Sequence, residues 1–137
     1  MRLKCDLLGK STVRGEYKIK KKMKPLLPSL KEKKRYLAFN IISKNPINSF
    51  KAVSEAIWHS SLKYLGIKCC AEAGIWLVDN TWDKEKQNGI IRVNNKHVHD
   101  LKTSLMFVTK IQGSEVIVRS LGVSGILNKA QKKYIAC

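Results

Sequence analysis

The order in which the apolar repeat changes period along the chain constrains its fold more than any other feature. Residues 35–43 (RYLAFNIIS) alternate: Leu37, Phe39 and Ile41 fall on one side and Tyr36, Ala38 and Asn40 on the other, as in a half-buried strand. Asn45-Pro46 then reads as a helix start, with asparagine as cap and proline at the first helical position. Ile47, Phe50, Val53 and Ile57 follow at helical spacing, continued by Trp58, Leu62 and Leu65, until Gly66 stops the helix. Residues 74–80 (GIWLVDN) form a short strand, 81–88 a polar turn and 89–94 (GIIRVN) another strand. Val98, Leu101, Leu105 and Val108 mark a second amphipathic helix, and Gly113-Ser114 turns the chain into a fourth strand over 115–121. Residues 122–125 (GVSG) lead into a last helix reaching about Ile135, with Leu127, Ala130 and Tyr134 inward and Lys129, Lys132 and Lys133 outward. The predicted fold class is α+β. It is a ferredoxin-like split βαβ (β-α-β-β-α-β), with a four-stranded antiparallel sheet, both crossover helices on one face, and a C-terminal helix.

At 137 residues the chain has room for one compact domain and not two. Charge is its loudest compositional signal. It carries 27 Lys and Arg against 10 Asp and Glu, a net +17, of which +9 lies in residues 1–34 and +8 in residues 35–137. Such an excess favours a polyanionic partner. The densest run holds Lys18, Lys20, Lys21, Lys22 and Lys24, followed by Lys31, Lys33, Lys34 and Arg35, with Pro25 and Pro28 between. Residues 1–24 therefore read as a basic extension, disordered when free, ahead of a single α+β domain over 25–137. A solvated tail, a localisation signal and a nucleic-acid arm all fit the run itself; the basic body favours nucleic acid. Met23 offers an alternative start, so residues 1–22 read either as an extension or as a misjudged initiation.

Other classes are disfavoured. No run of eighteen apolar residues exists, so no span is expected, and the first residues carry no apolar leader pattern. The cysteines, at 5, 69, 70 and 137, have neither disulfide-framework nor zinc spacing and read as small hydrophobes or idle thiols. His97 and His99 stand two apart, which on a helix sends them to different sides. His59 sits mid-helix beside Trp58. Asp79, Asp83 and Glu85 cluster around the 81–88 turn; Asp79 and Asp83 could be argued as a magnesium pair, but nothing pairs them with a third group, and a solvated turn is the more economical account. No catalytic residue and no metal or cofactor site is expected in the chain.

The element order matches that of the RNA-recognition motif, whose third strand carries a glycine-aromatic consensus that stacks bases. Here that strand is IIRVN, with Arg92 at its centre. Tyr36 and Trp76 offer rings, Trp76 reading equally as core, and without the consensus base stacking on the open sheet is disfavoured. A closer likeness lies in three stretches. Residues 26–42 (LLPSLKEKKRYLAFNII) resemble the opening of archaeal ribonuclease P protein component 2, a small subunit related to a protein of the eukaryotic nuclear ribonuclease P and MRP complexes. Residues 89–108 (GIIRVNNKHVHDLKTSLMFV) resemble its third strand and second helix, with Arg92 at a characteristic position. Residues 116–135 (VIVRSLGVSGILNKAQKKYI) resemble its fourth strand, Gly-Val-Ser-Gly turn and basic terminal helix. Residues 1–24 have no counterpart in that family, and Ile126 stands where its members often carry threonine.

The resemblance implies a subunit of the cytoplasmic ribonucleoprotein endonuclease that removes the 5′ leader from precursor tRNA. Catalysis there belongs to the RNA and its magnesium ions, and the chain itself holds no cofactor. It further implies partnership with ribonuclease P RNA, with the TIM-barrel component 3 subunit and other ribonuclease P proteins, and a self-contact in a heterotetramer. The expected RNA-binding residues are Lys20, Lys21, Lys22, Lys24, Lys31, Lys33, Lys34, Arg35, Arg92, Arg119, Ser124, Lys129, Lys132 and Lys133. Arginines are preferred as structured contacts because a planar guanidinium forks onto phosphate, although Arg119 reads equally as a solubilising charge. Ser124 reads as the cap of the last helix, whose free amides offer a phosphate cradle. Trp58, Tyr64, Ile67, Trp76 and Trp82 are the candidates for a protein interface, each equally explicable as core. A stand-alone ribosomal-type RNA-binding protein and a small metal-dependent nuclease are the alternatives.

Overall fold

The computed structural model describes residues 24–136, and the chain divides between Lys31 and Glu32. Lys20, Lys21 and Lys22 lie outside the described residues. In the first unit Pro28–Leu30 forms one 3-10 turn, closed by Leu30 N donating to Leu27 O at 2.9 Å, with Leu26, Leu27 and Leu30 exposed.

The second unit is a five-stranded antiparallel sheet with three helices. Its strands are β1 (Lys34–Ser43), β2 (Trp76–Leu77), β3 (Asn88–Asn94), β4 (Lys110–Ile111) and β5 (Ser114–Ser124), in the order β2-β3-β1-β5-β4. The helices are α1 (Phe50–Ala73), α2 (Val98–Met106) and α3 (Leu127–Ala130), the last continuing as a π turn over Gln131–Ile135. The sheet thus has one strand more than the predicted four. Gln112 and Gly113 both take positive φ, 50° and 78°, the pairing a tight two-residue hairpin demands, and this folds 110–111 back onto 114–115. β2 is shorter than predicted because Asp79–Thr81 coils into a 3-10 turn, with Thr81 Oγ1 donating to Val78 O at 2.7 Å.

Three local expectations change. α1 is capped by Ser49, whose Oγ accepts from Ala52 N at 3.4 Å, whereas Asn45-Pro46 belongs to the preceding loop. Gly66 leaves helical geometry (φ 76°, ψ 169°) and ends the first helical run of α1 as expected; a second run follows, carrying Cys70 and Ala73 to the core, and left-handed Gly74 closes it. Residues 122–124 are strand rather than a helix-opening turn. After a bulge at Ala38/Phe39, β1–β5 pairing resumes as Gly122 with Ala38, Val123 with Leu37 and Ser124 with Tyr36, so the ladder takes up that backbone. Ser124 is accordingly not the helix cap. Its Oγ bonds the N–H and carbonyl of Ile126, the residue at the cap position, which supplies no side-chain cap of its own.

The core lies between the sheet and α1 plus α2. Leu37, Phe39 and Ile41 of β1, Ile91 and Val93 of β3, and Val116 and Val118 of β5 meet Val53 and Ile57 of α1 and Leu101 and Leu105 of α2. Serines join the two helices within it: Ser60 Oγ donates to Ser104 O at 2.5 Å, and Ser61 and Ser104 hydroxyls lie 3.2 Å apart. A smaller cluster on the opposite face joins Ala38, Ile90 and Ala130, with Tyr36, Leu127 and Tyr134 against it.

Gly89 shows how tight the main core is. A Cβ there would stand 2.7 Å from Phe39 Cζ and 3.2 Å from Trp82 Cε3, and Phe39 is fully buried with no room to retreat. Gly89→Ala is expected to destabilise the chain by about 1–3 kcal/mol, read as a lower urea midpoint with unchanged slope; an unaltered midpoint contradicts this packing.

Candidate nucleic-acid interface

Directly paired residues in adjacent strands share a face, so the register places the site's side chains. On the face away from α1 and α2 paired residues line up in rows across the sheet. The middle row is Gly122, Ala38 and Ile90, and α3 lies over it through Ala130 and Tyr134, with the Tyr134 ring closed against Gly122. One row to one side stand Arg119, Asn40 and Asn88. Asn40 Nδ2 donates to Asn88 Oδ1 at 2.6 Å and Asn88 Nδ2 to Tyr134 O at 3.2 Å, tying α3 to the sheet by side-chain amides. One row to the other side stand Ser124, Tyr36, Arg92 and Trp76, on four successive strands. Lys34, paired with Asn94, comes next on the same face.

The structure therefore brings Arg92, Arg119, Ser124 and Lys34 to one face and lays α3 across it, with Lys129, Lys132 and Lys133 exposed along that helix. Lys86 Nζ reaches the end of α3 at Ile135 O, 3.2 Å away. Arg35 alternates to the helix-covered face instead, with Nη1 3.1 Å from where a Cβ on Gly125 would stand. Lys24, Lys31 and Lys33 are exposed. The Lys51–Glu55 ion pair (3.9 Å) on α1 and the His97–Asp100 contact (3.1 Å) at the start of α2 lie away from this face.

The five apolar candidates separate. Trp82 packs against the core at Phe39 and Phe50, ring centroids 6.2 Å from each, and Trp58 is half-buried against the same core. Tyr64 and Ile67 are exposed on α1, Ile67 to 82%. Trp76 is 61% exposed, with the Arg92 guanidinium 5.8 Å from its ring centroid, so it is not core. Its alternation with buried Ile75 and Leu77 was the signal for this. Two residues not expected at the surface site are Phe107, which stacks on Tyr64 at 5.2 Å, and Met106 beside it, both exposed at the C-terminal end of α2 between the stripe positions Leu105 and Val108. Sequence reasoning also missed Gln87. That side chain is buried at positive φ, accepts from Ile47 N, and donates to Ile47 O and Lys84 O, locking the 83–88 turn to the entry of α1.

Little here is arranged for covalent chemistry. Asp83 Oδ1 accepts from the amides of Glu85 and Lys86, at 2.9 and 3.3 Å, and so serves its own turn. Among the described residues no three His, Cys, Asp or Glu side chains gather where a metal ion could be held. Burial, and secondarily Cys69 beside it, push the Cys70 thiol up, which lowers its thiolate fraction. Iodoacetamide at about pH 8 is expected to alkylate Cys69 well before Cys70, as peptide mass spectrometry would show; equal rates contradict the burial of Cys70.

Comparison with known proteins follows the same lines. Residues 35–135 match the model of the Rpp14/Pop5 family. The chain is 42% identical over 118 residues to ribonuclease P protein component 2 of Thermococcus gammatolerans, covering 86% of this chain and 96% of that one. It is 41% identical over 113 residues to the protein of that name from Pyrococcus furiosus, covering 82% and 92%. A chain in the cryo-EM structure of yeast ribonuclease MRP superposes with a TM-score of 0.52 at 15% identity, covering 77% of this chain and 88% of that one, which shows a shared fold.

Proposed function

The chain belongs to the Rpp14/Pop5 family, and on that footing we propose that it is a protein subunit of ribonuclease P, binding and stabilising the catalytic RNA that removes the 5′ leader of precursor tRNA. The observation that carries the reading is the cationic face: Arg92, Arg119 and Lys34 on the sheet and Lys129, Lys132 and Lys133 on α3, in a chain of net +17. Guanidinium and ammonium groups there bind phosphates, release counterions and relieve the repulsion that resists compaction of a folded RNA. Magnesium belongs to the RNA; among the described residues no carboxylates gather where a metal ion could be held, and no catalytic step is assigned to them.

The other face suits protein. Tyr64 and Phe107, with Ile67 and Met106 nearby in sequence, put exposed aromatic and aliphatic surface at the α1 and α2 ends, where the component 3 subunit or a second copy of this chain would dock. The basic extension adds charge for RNA, and the assembly works in the cytoplasm.

Two outcomes are expected. Purified chain with magnesium leaves precursor tRNA intact, whereas adding it with its partner proteins to ribonuclease P RNA lowers the magnesium needed for cleavage; cleavage by the chain alone contradicts the reading. Affinity for that RNA falls steeply with salt, and Arg119→Ala with Lys129→Ala flattens the log–log slope by about two. A wild-type slope near zero removes the phosphate model.

A further inference from the structure

The geometry points to a base-stacking site for single-stranded RNA on the open face of the sheet, in which Trp76 holds an unpaired nucleobase and Arg92 fixes the ring and meets the neighbouring phosphate. The inference deepens the RNA-binding reading and rests on it. β2 is the edge strand beyond β3, and its alternation buries Ile75 and Leu77 while sending Trp76 outward, 61% exposed. The ring is not left to turn freely, for the Arg92 guanidinium packs on it at 5.8 Å. Held that way, an indole offers a preset flat surface, which is what a nucleobase requires.

Arg92 is itself unusual. Its Nε is buried with no hydrogen-bond partner, its guanidinium lies 5.8 Å from the Trp76 ring centroid, and among the described residues no carboxylate forms an ion pair with it. With the Nε edge enclosed, the terminal nitrogens are the part of the guanidinium that a phosphate can reach. Its row continues into half-buried Tyr36 and Ser124, and exposed Lys34 stands one row further on the same face. The carboxylate at this rim, Glu32, is engaged by Asn94 Nδ2 at 2.6 Å. Cations flanking an open ring favour a nucleic acid strand over an apolar protein surface. The RNA-recognition motif sets its ring on the third strand; here the third strand supplies the arginine and the edge strand supplies the ring, in one row.

The test uses the full 137-residue chain and three labelled probes read by fluorescence anisotropy: an oligoadenylate of about twelve nucleotides, an RNA duplex of equal length, and an abasic ribose-phosphate oligomer. Trp76→Ala is expected to weaken oligoadenylate binding about tenfold while leaving duplex and abasic affinities within about twofold and the thermal midpoint unchanged. Trp76→Phe, which keeps a ring, should recover most of the loss. Arg92→Lys should weaken the oligoadenylate without changing the salt slope, because the charge stays and the stack goes. Unaltered oligoadenylate affinity in Trp76→Ala overturns the site, as does an equal loss on all three probes, or a wild type that binds no oligoadenylate. So does a Trp76→Ala chain that keeps its RNA affinity but no longer associates with the component 3 protein, for the ring is then a protein contact. If the base-selective loss is found but the chain fails to support ribonuclease P RNA, the stacking site stands and the subunit reading falls.

Discussion

Strand β1 is held between β3 and β5 by antiparallel pairing along its length, and every feature of the candidate interface takes its position from that pairing. Leu37, Ala38 and Phe39 are buried in succession, so this strand is covered on both faces, by α1 and α2 on one and by α3 on the other. The double burial removes any freedom of register. A slip of one residue would send Leu37 and Phe39 to the α3 side and Ala38, sized to lie beneath Ala130, into a core too large for it. With the register fixed, Arg92 and Trp76 must share a row, and Arg119 must lie across the α3 ridge from them.

α3 then decides what remains open. It needs a small residue on β5, and Gly122 supplies it, since any Cβ there would enter the Tyr134 ring. Asn88 and Lys86 hold its far end by bonding the carbonyls of Tyr134 and Ile135. A short helix bound in this way carries lysines across a sheet that already carries arginines. The result joins the sheet's arginines and the lysines after β5 on one face, which also carries exposed Ile42 and Ile117, while Lys63 and Lys68 of α1 and Lys110 of β4 stand exposed elsewhere among aromatic and aliphatic groups. The field of such a face acts on a polyanion before contact and on its counterions after it, which is the contribution a protein can make to a ribozyme without touching the reacting bond.

Much of this was legible in the residues. Strict alternation in residues 35–43 fixed both the central strand and which side chains face α3, and the helical stripes at Val53–Ile57 and Leu101–Leu105 fell where the core forms. What escaped depends on contacts distant in sequence. Gly66 does end a helical run, but the second run after it was not expected; Cys70 and Ala73 have a core to enter there. The Gly-Val-Ser-Gly stretch looks like a turn, yet pairing with residues 36–38 draws it into the sheet. Trp76 carries a local sign of its outward side in its alternation with Ile75 and Leu77, whereas the packing of Trp82 is decided by Phe39 and Phe50, which are distant in sequence. The absence of an aromatic on the third strand argued against stacking only while the edge strand's row was unknown.

The central claim is that RNA is met by the sheet's α3-bearing face. Amide and indole chemical-shift mapping of the isotopically labelled chain, titrated with ribonuclease P RNA fragments, reads that face directly. Shifts gathered on Lys34, Trp76, Arg92, Arg119 and α3, with Glu55, Tyr64 and Phe107 unmoved, are the expected result. A footprint centred on α1 and the end of α2, sparing Trp76 and Arg119, would contradict it.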